Sequence, residues 1–373
     1  MLSGQGDLIG HKLSDELRQM CFSCPAHDDR YSERIIRDSF GDDYDTTKME
    51  LIGSGTISQV YKIPTLAGNT TVAIKVMHPN IKKEIKEAFE AYKSAKESVF
   101  FPSALKAITQ LFFDGLREQL DMKRELKNGR LFKRLLQPCS TEPDAEPQAE
   151  RSDAEPNNLF IIPHMIRCSK KCLVMSFEES KLCIDLSDHL GDDRLFHITE
   201  CMNFLPLSMF LSGILHLDLH LGNLGVRGDK LVIYDFGQVK DIRKLGKDKR
   251  CEFVRSKVNR DAHGFISCFV DDPTVVESVY KRAGEGSMYS KLERCFKYMC
   301  LNNIPIDENR RAIMISYLKT MPFVDKQKQL TDKYERFTCE YLYVDGFHRY
   351  ITKMFPYDEF KELAELFSEV DAV

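Results

Sequence analysis

Between residues 49 and 77 the pattern is strand-rich, with apolar and β-branched runs set off by a turn. MELIGSG runs into SQVYKIPT, LAGNT supplies a turn, and TVAIKVMHP follows with a β-branched run, which predicts three strands joined by tight turns. From Lys82 to about Leu136 the period changes. Leu105, Ile108, Leu111, Phe112, Leu116, Leu120 and Leu126 recur at steps of three and four, which predicts at least two helices with a break near Phe101-Pro102. Strand signals return in NLFIIPHMI and KKCLVMSFEE. The apolar run from Cys201 to Leu215 is shorter than the ~20 apolar residues of a bilayer span and is interrupted by Asn203, Pro206, Ser208 and Ser212, so it predicts a buried helix. LGV and KLVIYDF predict two short strands. Beyond Ile242 the pattern predicts helices over Arg255 to Phe269, Pro273 to Lys281, Met288 to Met299, Glu308 to Leu318 and Lys326 to Tyr341. Ahead of the strands, Ser14 to Leu17 and Tyr31 to Ile36 give short amphipathic helical pieces.

Strands first and helices later predict an α+β fold. The expected divisions are an N-terminal helical extension over 1–48, a small β-rich lobe with helices over 49–178, and a mostly helical lobe over 179–373. Residues 138–157, PCSTEPDAEPQAERSDAEPN, repeat DAEP and keep no apolar period, which predicts a disordered acidic loop.

Composition narrows the function classes. A net charge of −4 over 373 residues gives no electrostatic footprint for DNA or RNA, so no nucleic-acid partner is expected. The opening MLSGQGDLIGHKLSDEL lacks an apolar core and carries acids, so it reads as neither a secretory signal nor a transit peptide. The twelve cysteines are then read as reduced thiols of an intracellular, cytosolic protein without a transmembrane helix. The CxxC at Cys21 and Cys24 and the CxxxC at Cys168 and Cys172 are too loose a pattern to claim zinc.

The chemistry lies in four motifs in a fixed order. Ile52, Gly53, Ser54, Gly55, Thr56, Ile57, Ser58, Gln59 and Val60 form a glycine-rich turn between two strands, where positive φ and absent side chains let backbone N–H groups cover phosphates. Val72-Ala73-Ile74-Lys75 ends an apolar strand on a lysine. Taken alone, that lysine is a snorkelling surface residue; after a glycine-rich hairpin it matches the phosphate-binding lysine of protein kinases. In His216-Leu-Asp218-Leu-His220-Leu-Gly222-Asn223, the aspartate and asparagine are spaced as in a kinase catalytic loop. Asp218 is the expected base for a substrate hydroxyl, Asn223 a metal ligand, and His216 a brace behind the loop. Asp235-Phe236-Gly237 follows a strand and places a second carboxylate for Mg²⁺. The ion-pair partner of Lys75 is expected at Glu125, in QLDMKRELKN.

These residues, with IGSGTISQVYK, VAIKVMHP, LVMSFEES and IYDFGQV, resemble the UbiB-like, or ADCK-type (aarF-domain), atypical kinase family, from about residue 4 to about residue 270. The resemblance implies a two-lobed protein kinase-like fold that binds ATP and Mg²⁺ in an interlobe cleft and transfers the γ-phosphoryl group. The acceptor would be a protein Ser/Thr or a lipid-like small molecule, with peripheral membrane contact allowed. It assigns Lys75 to the α/β-phosphates, Met175 to a gatekeeper position, Phe177 to a hinge, Asp218 to catalysis, and Asn223 and Asp235 to the metal. It equally allows an ATPase linked to ubiquinone metabolism without a phosphoacceptor; a nucleotide-bound interaction module is a third reading. Four departures stand out: Leu221 replaces the family's Pro in HxDxHPGN, the nucleotide turn is Gly-rich rather than Ala-rich, Leu2 takes the Lys position of a Lys-x-Gly-Gln motif, and Gln119 replaces one of an acidic pair with Asp121. The basic run Lys240, Arg243, Lys244, Lys247, Lys249 and Arg250 replaces an ordinary activation segment and is either a solvated helix start or a phosphate or lipid contact.

Overall fold

The structure is a computed structural model that describes residues 26–68, 70–96, 113–136, 159–183, 205–219, 221–259, 261–286, 288–302 and 304–320. The Ser14 to Leu17 piece, Leu2, Cys21, Cys24, the break near Phe101-Pro102, the acidic segment 138–157, His220 and the helix expected over Lys326 to Tyr341 lie outside these residues.

In chain order the elements are α1 (Asp29–Phe40), β1 (Glu50–Ser54), β2 (Ser58–Pro64), β3 (Thr71–Met77), α2 (Ile81–Lys96), α3 (Met122–Leu136), β4 (Phe160–Ile161), β5 (Met165–Cys168), β6 (Cys172–Ser176), β7 (Lys181–Leu182), β8 (Ile214–His216), β9 (Leu224–Arg227), β10 (Lys230–Ile233), β11 (Val239–Asp241), α4 (Lys247–Val258), α5 (Ala262–Ser267), α6 (Pro273–Tyr280), α7 (Met288–Leu301) and α8 (Glu308–Thr320). They divide into two compact units. The first is Met1–Arg130, Pro163–Glu179 and Asp235–Gln238; the second is Leu131–Ile162, Ser180–Tyr234 and Val239–Val373.

The first unit is built on an antiparallel five-stranded sheet in the order β1-β2-β3-β6-β5. Period-two alternation sends Tyr61 and Ile63, Val72, Ile74 and Val76, and Cys172 and Val174 to one face, where Ile35 and Ile36 of α1 pack on them. Asp28 caps α1 by accepting from the Arg30 N–H at 2.8 Å, and Gly41, at φ +67°, ends it. Register fixes the opposite face: Val60, Lys75 and Leu173 lie side by side, as do Lys62, Ala73 and Met175. Helix α2 buries Ile81, Ile85, Phe89 and Tyr92, an i, i+4, i+8, i+11 stripe. Helix α3 is capped by Asp121, whose carboxylate accepts from Lys123 N–H (3.0 Å) and Arg124 N–H (3.1 Å).

The second unit holds a four-stranded sheet in the order β4-β10-β9-β7, a two-stranded β8-β11 pair, and helices α4 to α8. Its core uses the chain's phenylalanines as linked rings: Phe253–Phe269 (5.0 Å), Phe269–Phe296 (5.1 Å) and Phe265–Tyr317 (5.3 Å).

Three expectations are corrected. The helix expected to run to Leu215 ends at Gly213, whose φ of +74° leaves the helical region; Ile214–His216 turns into β8 and pairs with β11. The helix expected over Arg255 to Phe269 is two, because Asp261 breaks the run and caps α5 by accepting from Gly264 N–H at 2.8 Å. NLFIIPHMI is not one strand. Phe160–Ile161 pairs with β10 in the second unit, Met165–Cys168 pairs with β6 in the first, and Pro163, which has no N–H for a ladder, stands between them.

Candidate active site

Strand β3 carries Lys75 inward on the face opposite α1. Its ammonium is buried, bonded to both Glu125 oxygens at 2.8 and 3.0 Å and to Asp235 Oδ2 at 3.2 Å. It is therefore no snorkelling surface residue. Burial alone lowers a lysine pKa, but the Asp235 and Glu125 charges outweigh it and hold this one above its ordinary value. Glu125 is 1% exposed. Burial pushes its carboxyl up to about 7 against the pull of Lys75, with the Asp235 charge adding to the rise.

Asp235 sits at φ +55°, a left-handed conformation strained for a residue with a Cβ. Its Oδ1 accepts from Gly237 N–H at 3.1 Å. The next residue, Phe236, is fully buried; its N–H donates to Glu125 and its C=O accepts from Asn128 Nδ2 at 2.8 Å.

The glycine-rich turn is tied from behind. Gly55 N–H donates to Ser58 C=O at 2.9 Å, and His78 N–H donates to Ile57 C=O at 2.9 Å. Contrary to expectation, neither Gly53 nor Gly55 has positive φ; what absent side chains leave there is open space, with nothing near a Cβ at Gly53 and only Ser58 O at 3.8 Å from one at Gly55. A bulge between Leu51 and Gly53 puts Ile52 40% exposed. Ile57 and Ser58 are buried, Thr56 is exposed, and Val60 lies on the Lys75 face. Gln59 points the other way. Its Nε2 donates to Tyr61 Oη at 2.7 Å and its Oε1 accepts from His27 N–H, so its side chain is committed beneath the sheet and only its backbone is left for a ligand.

The same turn ends a chain of side-chain bonds that sequence reasoning missed. His78 Nε2 meets Gly55 O at 2.8 Å, the His78 and His27 Nδ1 atoms meet at 2.6 Å, and His27 Nε2 meets Ser32 Oγ at 2.7 Å. A carbonyl only accepts, so His78 donates from Nε2 and accepts at Nδ1; His27 then donates from Nδ1 and accepts from Ser32. A further proton on His27 enters at Nε2, where the Ser32 hydroxyl must turn from donor to acceptor. Burial, then His78, lowers the His27 pKa to about 4, against the pull of Asp29 and Asp28. With a folded pKa below the ordinary 6.5, the His27 contribution is full above pH 6.5 and is lost as pH falls toward 4. The Tm advantage of wild type over His27→Phe should accordingly narrow across that window in thermal melts; an advantage that stays constant with pH refutes the assignment.

In the second unit, His216 is fully buried. Its Nδ1 accepts from Asp218 N–H at 3.1 Å and its Nε2 meets Tyr234 C=O at 3.3 Å, which sets the Nε2–H tautomer. Asn223 Nδ2 donates to Asp218 C=O at 2.9 Å, which commits its amide N–H and not its Oδ1. Met175 is buried on β6 beside Ala73, and Phe177 carries the Lys62 ammonium 4.8 Å above its ring. In the basic run, Lys240 pairs with Glu308, Arg243 with Asp241 and Lys249 with Glu252. Among the described residues no group of three or more His, Cys, Asp or Glu side chains is placed to hold a metal, and no helix is long and apolar enough to cross a membrane.

The family model for the ABC1 atypical kinase-like domain matches residues 19–268. The chain is 27% identical over 243 residues to the probable serine/threonine-protein kinase abkC of Dictyostelium discoideum, covering 61% of this chain and 32% of that protein. It is 23% identical over 298 residues to a chloroplastic aarF domain-containing protein kinase of Arabidopsis thaliana, covering 76% and 40%. With a mitochondrial ABC1 family protein of Saccharomyces cerevisiae it shares 24% over 372 residues, covering 87% and 54%. The chain thus spans about a third to a half of the length of these relatives. The solved structure of Rv3197 with erythromycin, from Mycobacterium tuberculosis, has a TM-score of 0.51 at 15% identity over 85% of this chain and 86% of that one, a likeness of fold.

Proposed function

The chain belongs to the ABC1 atypical kinase-like family, and from that premise we propose that it binds ATP with Mg²⁺ and transfers the γ-phosphoryl group to a hydroxyl of a protein or a lipid-like small molecule. The observation that carries this reading is the buried Lys75 ammonium held by two carboxylates rather than one. Glu125 alone neutralises it. Asp235, 27% exposed at its side chain and strained in φ, is surplus to that task, and the trio's formal charge of −1 suits a further cation.

The donor set fits Mg²⁺. That ion takes one or two carboxylates plus phosphate oxygens and water, so a dedicated cage is not required. Asp235 supplies the hard carboxylate oxygen that would hold it in the first unit, and the amide oxygen of Asn223 is a donor of the same kind in the second; the ion would neutralise phosphate charge. Lys75 orients the α/β-phosphates. Backbone of the turn from Gly53 to Ser58 covers them, and Val60, Ala73 and Met175, with Phe177 beyond the strand, supply the surface for the base. Asp218 takes the acceptor proton, with His216 fixing its backbone. Catalysis by such a set is positional and electrostatic.

A thermal-shift series tests the reading. ATP with MgCl₂ at about 100 times Kd should raise Tm by about 5 °C or more, and ATP with EDTA by much less. A shift that is absent, or the same without metal, favours a nucleotide-bound interaction module instead. Radiolabel carried onto an acceptor then supports the kinase, whereas phosphate release alone supports an ATPase. Relatives named chloroplastic and mitochondrial make an organelle as fitting a location as the cytosol.

A further inference from the structure

We infer that Asn128, through its hydrogen bond to the Phe236 carbonyl, is a positioning residue that holds Asp235 ready for the metal; this rests on the nucleotide reading above. Phe236 is fully buried, so both its peptide groups need partners. Both partners are side chains of one helix. Glu125 accepts from the Phe236 N–H, and Asn128 Nδ2 donates to the Phe236 C=O at 2.8 Å. The two sit at i and i+3 on α3, about 4.5 Å apart along the axis and on one face. Helix α3 thereby grips a single residue from both ends, much as a neighbouring strand would.

The grip matters because of what precedes it. Asp235 is held at φ +55°, a conformation that persists only where its surroundings over-determine it. The surroundings are close. A Cβ at Gly237 would lie 2.9 Å from Gln119 Cγ, and one at Gly115 would lie 2.8 Å from Gln238 Oε1. Gly237 N–H closes on Asp235 Oδ1 and Lys75 holds Oδ2. Of these hydrogen bonds, the Asn128 bond is the one whose atoms touch neither Lys75 nor a carboxylate paired with it. Removing it frees the backbone that aims Asp235 while leaving the Lys75 pair chemically whole.

The test is calorimetric titration of the full chain with a non-hydrolysable ATP analogue, in EDTA and across a MgCl₂ series, for wild type, Asn128→Asp and Asn128→Ala. Asn128→Asp is isosteric, lacks the donor and sets a carboxylate against the carbonyl; Asn128→Ala removes the donor without adding charge and serves if the first fails to fold. The Mg²⁺ concentration for half-maximal tightening should rise about tenfold in Asn128→Asp and somewhat less in Asn128→Ala, while metal-free affinity stays within about twofold. An unchanged Mg²⁺ requirement in a folded variant overturns the inference alone. Equal losses with and without metal also overturn it, since they mark a merely structural role. Wild type that binds no Mg²⁺–nucleotide overturns both this inference and the reading beneath it.

Discussion

Lys75→Met should abolish nucleotide turnover and the Mg²⁺–ATP thermal shift together, and should destabilise the fold by about 3 kcal/mol at pH 8. Both effects have one cause. The substitution keeps much of the side chain's length and apolar contact but removes the charge on which Glu125 and Asp235 converge. Glu125 is then a buried carboxyl without its cation. Its pKa, already up at about 7 with Lys75 present, rises further. Wild type shares the loss of stability between pH 4.5 and about 7, so the Lys75→Met defect from this carboxyl opens as pH climbs above 7 and is smaller at pH 5. Glu125→Gln in the Lys75→Met background should restore much of the lost Tm at pH 8 without restoring nucleotide binding. Denaturant melts at pH 5 and 8, with the ATP shift measured alongside, check all three. A Lys75→Met protein that keeps its Mg²⁺-dependent shift removes Lys75 from the phosphates.

Particular residues show how far the sequence carries. Strands β2 and β3 were legible because one face is buried: their pairing has a single register that hides Tyr61, Ile63, Val72, Ile74 and Val76 under α1. The same arithmetic places Lys75 on the other face and Gln59 away from it. The charged trio was legible as motifs in order, each weak alone. Breaks were harder. Gly213 ends a helix through its backbone geometry and Asp261 starts one by capping, neither of which apolar periodicity registers, and Pro163 divides what reads as one strand between two sheets. Asn128 and the His27–His78 pair were illegible for a different reason. Their partners are backbone atoms or rings 108 and 51 positions away, and an asparagine on a polar helix face looks solvated until the fold brings the Phe236 carbonyl to it.

Asp218→Asn should separate binding from chemistry: phosphoryl transfer falls by about 10²–10⁴-fold while Mg²⁺–ATP affinity stays within about twofold. The local bonds explain why the fold should tolerate it. Asp218 is anchored through its backbone, its N–H to His216 Nδ1 and its C=O to Asn223 Nδ2, and neither bond uses the carboxylate. Asparagine has the same shape, so both backbone bonds persist. What is lost is an atom that can take the acceptor hydroxyl's proton. The contrast with Asp235→Asn makes the assignment specific: there the loss falls on a group bonded to Lys75, so Mg²⁺-dependent nucleotide binding should fail before chemistry is reached. Single-turnover label transfer, with nucleotide affinity measured on the same samples, distinguishes the two. Wild-type transfer by Asp218→Asn ends the base assignment, and a loss of affinity matching the loss of rate makes Asp218 a binding residue instead.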